Sequence, residues 1–294
     1  MQGITIVLLF TILANTRYHT PTMTVSVTPV LSPKNESLLA HVKELKQAID
    51  TQKQHHPELW EMIQKKLRIQ WTYDSNAIEG STLTLGETLF FLQEGLTVEG
   101  KPFKDFLDAQ NHAQAIELLF GIIHSQRPLT EGLIKEINAL LLSGVTHTPA
   151  LGQDGQKVTK PATPGQYKHL PNHVLQSDGS IHRYTDPLHV TDEMESLVSW
   201  VNTHSADPVI IGAIFHYHLV RIHPFDDGNG RVARLLMNLV LIKAGYPPAI
   251  IQHSRRRAYL ESLARADAGE LEVFIGFVLE SLETTMVGIL GELN

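Results

Sequence analysis

At 294 residues, 43% of them apolar, the chain can bury a sizeable core, so disorder throughout is excluded as its default. A net charge of −7 argues against nucleic acid as the main partner, because a phosphate backbone calls for a basic footprint. The absence of cysteine removes disulfides, thiolate metal sites and a cysteine nucleophile together, and leaves the compartment open.

Ile4 to Ala14 form an apolar run of eleven residues, short of the roughly 20 that a membrane-crossing helix needs. No Lys or Arg precedes the run, so the charged lead of a secretory signal is missing. Two readings stand: a targeting or anchoring segment, or translation upstream of a start at Met23. The expected localisation is cytoplasmic, with the targeting reading as its competitor. Residues 15–35 are polar and rich in Pro, Thr and Ser, and read as a linker.

From Glu36 the pattern is helical. Leu38, Leu39, Val42 and Leu45 share one face. A second helix runs from about Pro57 to Glu79, with Trp60, Ile63, Leu67 and Trp71 recurring every three or four positions and Gly80 stopping it. Further helices are predicted over Phe103–Ile123, Thr130–Gly144, Thr191–Asn202, Asp207–Ile222, Asn229–Ala244, Arg255–Ala268 and Glu270–Leu293; Thr130 is a good N-cap. Gly245 and the Pro247–Pro248 pair stop the Asn229 helix. Residues 145–190 hold four glycines and five prolines and cannot be a regular helix. Between Tyr167 and His182, extended runs such as His173–Val174–Leu175 flank Ser177–Asp178–Gly179, a hairpin signal. The fold class is therefore all-α with one short hairpin. By sequence the chain divides into 1–35, an apolar segment and linker; 36–145, N-terminal helices; and 146–294, a core forming one compact unit with those helices.

Chemistry concentrates in His223 to Arg234. Pro224 disfavours helix in the residue before it, so a helix ends at Ile222. A glycine loop, Gly228-Asn229-Gly230, then feeds a helix N-terminus, where N–H groups and the helix dipole favour an anion. Arg231 and Arg234 lie three apart on one face, and arginine suits phosphate geometrically. Asp227 beside them suits Mg²⁺, which takes few protein ligands and completes its shell with phosphate and water. His223 stands where it could accept a proton from an incoming hydroxyl. On spacing alone a blander reading also stands: a plain turn, a solvated arginine face and a surface histidine. His216 and His218, two apart on a helix, point away from each other and cannot chelate one ion.

This stretch resembles the signature of the Fic family, His-Pro-Phe-x-Asp/Glu-Gly-Asn-Gly-Arg-x-x-Arg, at every fixed position. The flanks Ala213-x-x-His216-x-x-Leu219-x-x-Ile222 and Leu235-Leu236-Met237-Asn238 are similar too, and the resemblance spans about residues 60–290. It implies a Fic-type helical domain with a hairpin flap, and a nucleotidyltransferase that moves AMP from Mg·ATP to a Ser, Thr or Tyr hydroxyl. His223 would be the base and Asp227 the Mg²⁺ ligand. Gly228, Asn229 and Gly230 would form the anion hole, and Arg231 and Arg234 would hold the outer phosphates. Tyr259 and Asp267, and Val174 and Leu175 in the flap, fall on the nucleotide side, although Asp267 replaces an Asn and Lys168 stands where Arg is common.

Upstream, Ser75-Asn76-Ala77-Ile78-Glu79-Gly80 resembles the family's inhibitory motif. The resemblance implies that Glu79 pairs with Arg234, supported by Ser75, and takes it from the γ-phosphate. The implied partner is a target protein presenting a hydroxyl at the flap, with self-modification and a homodimer as further expectations and no nucleic acid. Alternatives within the fold are removal of AMP, or transfer of UMP, phosphocholine or phosphate; outside it, a regulatory module without activity.

Overall fold

The computed structural model describes residues 29–151, 156–172, 174–175 and 181–293. The apolar run at 4–14, Met23, and Ser177–Asp178–Gly179 lie outside the described residues. Ten α-helices are described: α1 Pro33–His55, α2 Pro57–Ile78, α3 Leu85–Glu94, α4 Phe103–His124, α5 Glu131–Leu141, α6 Val190–Thr203, α7 Pro208–Ile222, α8 Asn229–Lys243, α9 Arg256–Asp267 and α10 Leu271–Leu293. Two antiparallel hairpins lie between α5 and α6: β1 His147–Leu151 with β2 Lys157–Pro161, and β3 Val174–Leu175 with β4 Ile181–His182.

Two elements are additions to the sequence reading. The β1–β2 hairpin sits in the stretch read only as irregular, because Pro149 and Pro161 at its strands obscure the period-two pattern. Helix α3 is ten residues long and is set by a capping box, in which Thr84 accepts from the Glu87 N–H and Glu87 accepts from the Thr84 N–H.

The described residues cluster into two compact units that interleave along the chain. The first holds residues 129–204 and 218–233. Its α5 starts at Thr130, whose hydroxyl accepts the Leu133 N–H at 3.1 Å. Leu133, Ile134, Ile137 and Leu141 then form a fully buried stripe, and α5 packs against α6, which buries Met194 and Leu197.

The second unit holds 29–128, 205–217 and 234–293. Here α1 lies along α10, α9 packs on α10, and α2 packs on α3 and α4. Its core includes Val42, Ile63, Trp71, Leu119, Phe274 and Leu282. By length and composition α10 could cross a membrane; it packs on α1 and α9, and 56% of its most apolar stretch is buried. Helix α2 ends where Gly80 takes a φ of +101°, a value that favours glycine.

Candidate functional site

The first unit carries the loop. Helix α7 ends at Ile222, and His223 adopts φ +53°, an uncommon value for a residue with a side chain. Several bonds hold this conformation. The His223 N–H donates to the Leu219 carbonyl at 2.9 Å. Lys168, only 2% exposed, donates its backbone N–H to the Pro224 carbonyl at 2.8 Å and its ammonium to the Ile222 carbonyl at 3.3 Å. The same ammonium donates to Asn172 Oδ1 at 2.8 Å, and Asn172 Nδ2 donates to the carbonyls of Phe225 at 2.8 Å and His223 at 3.4 Å. Burial lowers the Lys168 pKa to about 7, against the opposing pull of Asp186, Asp226 and Glu193.

The His223 ring is stacked on Tyr184, with centroids 3.8 Å apart and planes 13° from parallel. Its Nδ1 lies 3.2 Å from the Val220 carbonyl. A carbonyl only accepts, so Nδ1 carries the proton and Nε2 is left as the basic nitrogen. Burial, then the charge of Lys168, lowers the His223 pKa to about 3, so the ring is neutral at physiological pH.

Beyond it the loop closes on itself. Asn229 accepts the Phe225 N–H at 2.9 Å and donates to the Phe225 carbonyl at 2.8 Å. The Asn229 side chain is thus a staple, and what it offers an anion is its place at the head of α8, where helix geometry leaves leading N–H groups without intrahelical acceptors. Phe225 is fully buried against Tyr167. Asp226 binds Lys160 at 2.5 Å and Thr163 at 2.9 Å. Asn138 donates to the Asp227 carbonyl at 2.9 Å and accepts the Gly165 N–H at 2.9 Å. Gly228, at φ +80°, would bring a Cβ within 3.1 Å of Asn138 Nδ2, so a side chain there meets both strain and crowding. Asp227 Oδ1 accepts the Gly228 N–H at 2.6 Å and lies 3.6 Å from Arg231 Nη2. In the flap, Val174 pairs with His182 and Leu175 with Ile181.

The second unit carries Arg234 and its partners. Arg234 is 2% exposed. Its Nη2 donates to Glu79 Oε1 at 2.7 Å and to the Ser75 carbonyl at 2.9 Å, and its Nε donates to Ser75 Oγ at 3.0 Å. Burial, the largest single influence, pulls the guanidinium pKa down, but the Glu79 carboxylate and Tyr259 together outweigh it and the net shift is upward. Arg234 Nη1 is buried with no hydrogen-bond partner among the described residues. Arg256 donates to the Ile78 carbonyl at 2.7 Å, so two arginines cover the C-terminal carbonyls of α2, where a cation suits the dipole. Tyr259 and Asp267 are engaged inside this unit: the Tyr259 hydroxyl lies 3.1 Å from His216 Nε2, and Tyr217 donates to Asp267 Oδ1 at 3.2 Å.

The bracing residues Lys160, Asn172 and Tyr184 are missing from the sequence reading, and nothing in their spacing marks them. Asn138 did leave a signal, as a polar residue within the apolar stripe of α5.

The Fic/DOC family model matches residues 128–241. The chain is 30% identical over 275 residues to the protein adenylyltransferase fic-1 of Caenorhabditis elegans, covering 91% of this chain and 49% of that protein. It is 32% identical over 232 residues to the protein adenylyltransferase Fic of Aedes aegypti, covering 76% of this chain and 42% of that one. The chain therefore spans less than half the length of these curated relatives. Its fold is similar to a Fic-domain-containing signalling protein of Bacteroides thetaiotaomicron, with TM-score 0.74, 30% identity, and coverage of 85% of this chain and 97% of that one. A solved fragment of Fic-1 from C. elegans gives TM-score 0.74 at 26% identity, covering 88% of this chain and 72% of that one.

Proposed function

This chain belongs to the Fic/DOC family, and from that premise we propose that it transfers AMP from ATP to a hydroxyl side chain of a target protein, under restraint by Glu79. The observation that carries this is the tautomer of His223. With Nδ1 held on the Val220 carbonyl, Nε2 is the acceptor, and the low pKa keeps it unprotonated at neutral pH. A Ser, Thr or Tyr hydroxyl gives its proton to Nε2 as its oxygen bonds to the α-phosphorus. The bond from that phosphorus to the bridging oxygen breaks, and pyrophosphate leaves.

The loop fits an anionic nucleotide. The head of α8 favours negative charge, and Arg234 Nη1 is a buried donor that a phosphate oxygen would satisfy. Asp227 fits Mg²⁺ as a lone carboxylate: no cluster of three metal-binding side chains occurs among the described residues, and this ion takes its remaining ligands from phosphate and water. When bound, Mg²⁺ would offset charge on the phosphates. Arg231 and Arg234, three apart on α8, hold the outer phosphates. Glu79 competes for the guanidinium on which the γ-phosphate depends, and Ser75 holds that guanidinium toward α2.

The test incubates the unmodified chain, Glu79→Gly and Glu79→Gly/His223→Ala with ATP, UTP or CDP-choline, and reads protein mass. We expect addition of one AMP, fastest in Glu79→Gly and absent once His223 is replaced. Modification only with another donor, or AMP addition that survives loss of His223, overturns the proposal.

A further inference from the structure

The second unit holds a cavity of about 200 Å³ beside α2. Its walls are aromatic and apolar, with Trp60 and Trp71 from α2, Phe120 from α4, and Tyr246, Pro247 and Pro248 from the loop after α8. Polar groups enter the same lining from Lys46, Asp50, Lys53, Gln64 and Arg68. An engineered apolar cavity of roughly 150 Å³ is large enough for benzene, so the volume here suits one or two fused rings.

The rim is cationic, on a chain whose net charge is −7. Three cations each stand over a ring: Lys46 Nζ is 5.7 Å from the centre of Tyr246, Lys53 Nζ is 5.9 Å from Trp60, and the Arg68 guanidinium is 4.2 Å from Phe120. Gly245 leaves the room for Lys46, because a Cβ there would come within 3.1 Å of its ammonium. Asp50 is the single lining carboxylate. It accepts from Lys46 at 2.6 Å and from Lys53 at 2.5 Å, so two ammonium groups face one negative charge. Trp71 is 2% exposed, and its Nε1–H has no hydrogen-bond partner among the described residues.

We infer that this cavity is an effector site for a small planar aromatic monoanion, whose ring fills the aromatic walls and whose carboxylate meets the excess of positive charge at the Lys46–Lys53 rim. Trp60, Gln64, Leu67 and Trp71 form one stripe of α2, and Ser75 continues it four residues on. The cavity has this shape in the state where Ser75 and Glu79 hold Arg234. A ligand that fits this state and not the released one stabilises it, and so deepens the restraint. This last step rests on the proposed function; binding itself does not.

Calorimetry on the full chain with 2-naphthoate, its neutral amide and the matching amine tests binding. We expect the acid to bind roughly tenfold tighter than the amide, with the amine weakest. Lys46→Gln/Lys53→Gln, which alters only the rim, should erase that preference. No binding, or equal binding of all three compounds, overturns the site. For the effector role, AMP transfer by the unmodified chain should fall roughly tenfold with free 2-naphthoate at ten times its Kd, while Glu79→Gly is unaffected. Binding without that fall overturns the effector role and leaves the proposed function standing. If Glu79→Gly transfers no AMP at all, the proposed function fails and takes the effector role with it, and calorimetry alone decides the site.

Discussion

The loop at His223 and the guanidinium at Arg234, eleven residues apart in one continuous motif, are fastened by different chemistry. Around His223 most fasteners are side chains directed at backbone groups, from Asn172, Asn138, Asn229 and the ammonium of Lys168, beside the pairing of Asp226 with Lys160 and Thr163. At Arg234 they are a carboxylate, a hydroxyl and the carbonyl of a helix end. An amide bonded to a backbone carbonyl has no anionic rival, whereas a carboxylate on a guanidinium competes with any anion of suitable shape. Under the proposed function, one set of contacts holds a shape and the other is exchanged for phosphate. The contrast teaches that one continuous sequence motif can be fastened by two kinds of chemistry.

The largest expected effect lies at the rigid end. His223→Ala should lower AMP transfer by roughly 10²–10⁴-fold, the usual worth of a positioned base, with little change in thermal midpoint. A variant that keeps most of its rate would remove His223 from the chemistry.

Acid should break the same end next. His218 is 2% exposed, and burial lowers its pKa to about 4; His223 is half-buried at about 3. Below about 6.5 the unfolded chain takes up protons that these folded histidines refuse, so stability present above that pH is lost as pH falls toward the folded values. Between pH 6.5 and 5 the loss is about 2 kcal/mol for His218, and less for the more open His223. Urea unfolding at the two pH values measures it, and an unchanged midpoint would contradict the neutral state of the two histidines.

Asn172→Ala sharpens the contrast. It leaves the buried Lys168 ammonium and the Phe225 carbonyl each short of a partner, which should cost about 1–3 kcal/mol in unfolding free energy and lower kcat more than it raises KM for ATP. Equal kcat in the variant would show that the brace does not order the loop. The smallest effect belongs to the exchangeable end. The Glu79 side chain is 40% exposed, so its pairing with Arg234 is screened and is worth about 1 kcal/mol. Glu79→Gly should therefore cost little stability, while AMP transfer rises roughly five- to tenfold. A large loss of stability with no gain in rate would make Glu79 a structural residue.

Much of the helical order was legible because it rests on local periodicity. The Thr130 cap of α5 could be read directly, as could the stop at Gly80. Helix α3 was missed because ten residues with Gly86 inside carry little periodic signal. The β1–β2 hairpin was hidden because strand pairing is a long-range property that its prolines mask. In the site, the motif residues were visible as a string. The bracing contacts were not, since Lys168 lies 54 residues before the Ile222 carbonyl it binds, and Arg256 lies 178 after the Ile78 carbonyl it covers. Contacts across such separations depend on the fold, and one sequence records no trace of them. Asn138 is the exception, an amide on an apolar stripe whose presence asked for a partner.

Asn229 has a consequence for how the chain can vary. Its two bonds to Phe225 require a donor and an acceptor on one short, planar group. Asp has the length without the donor, Gln has both groups one methylene too far, and Ser does not reach both atoms. Of the twenty side chains only asparagine closes this ring, so the position is expected to admit a single amino acid in any version of the chain that keeps the loop. A deep mutational scan read out by folding alone should therefore reject Asn229→Asp and Asn229→Gln before any activity is measured.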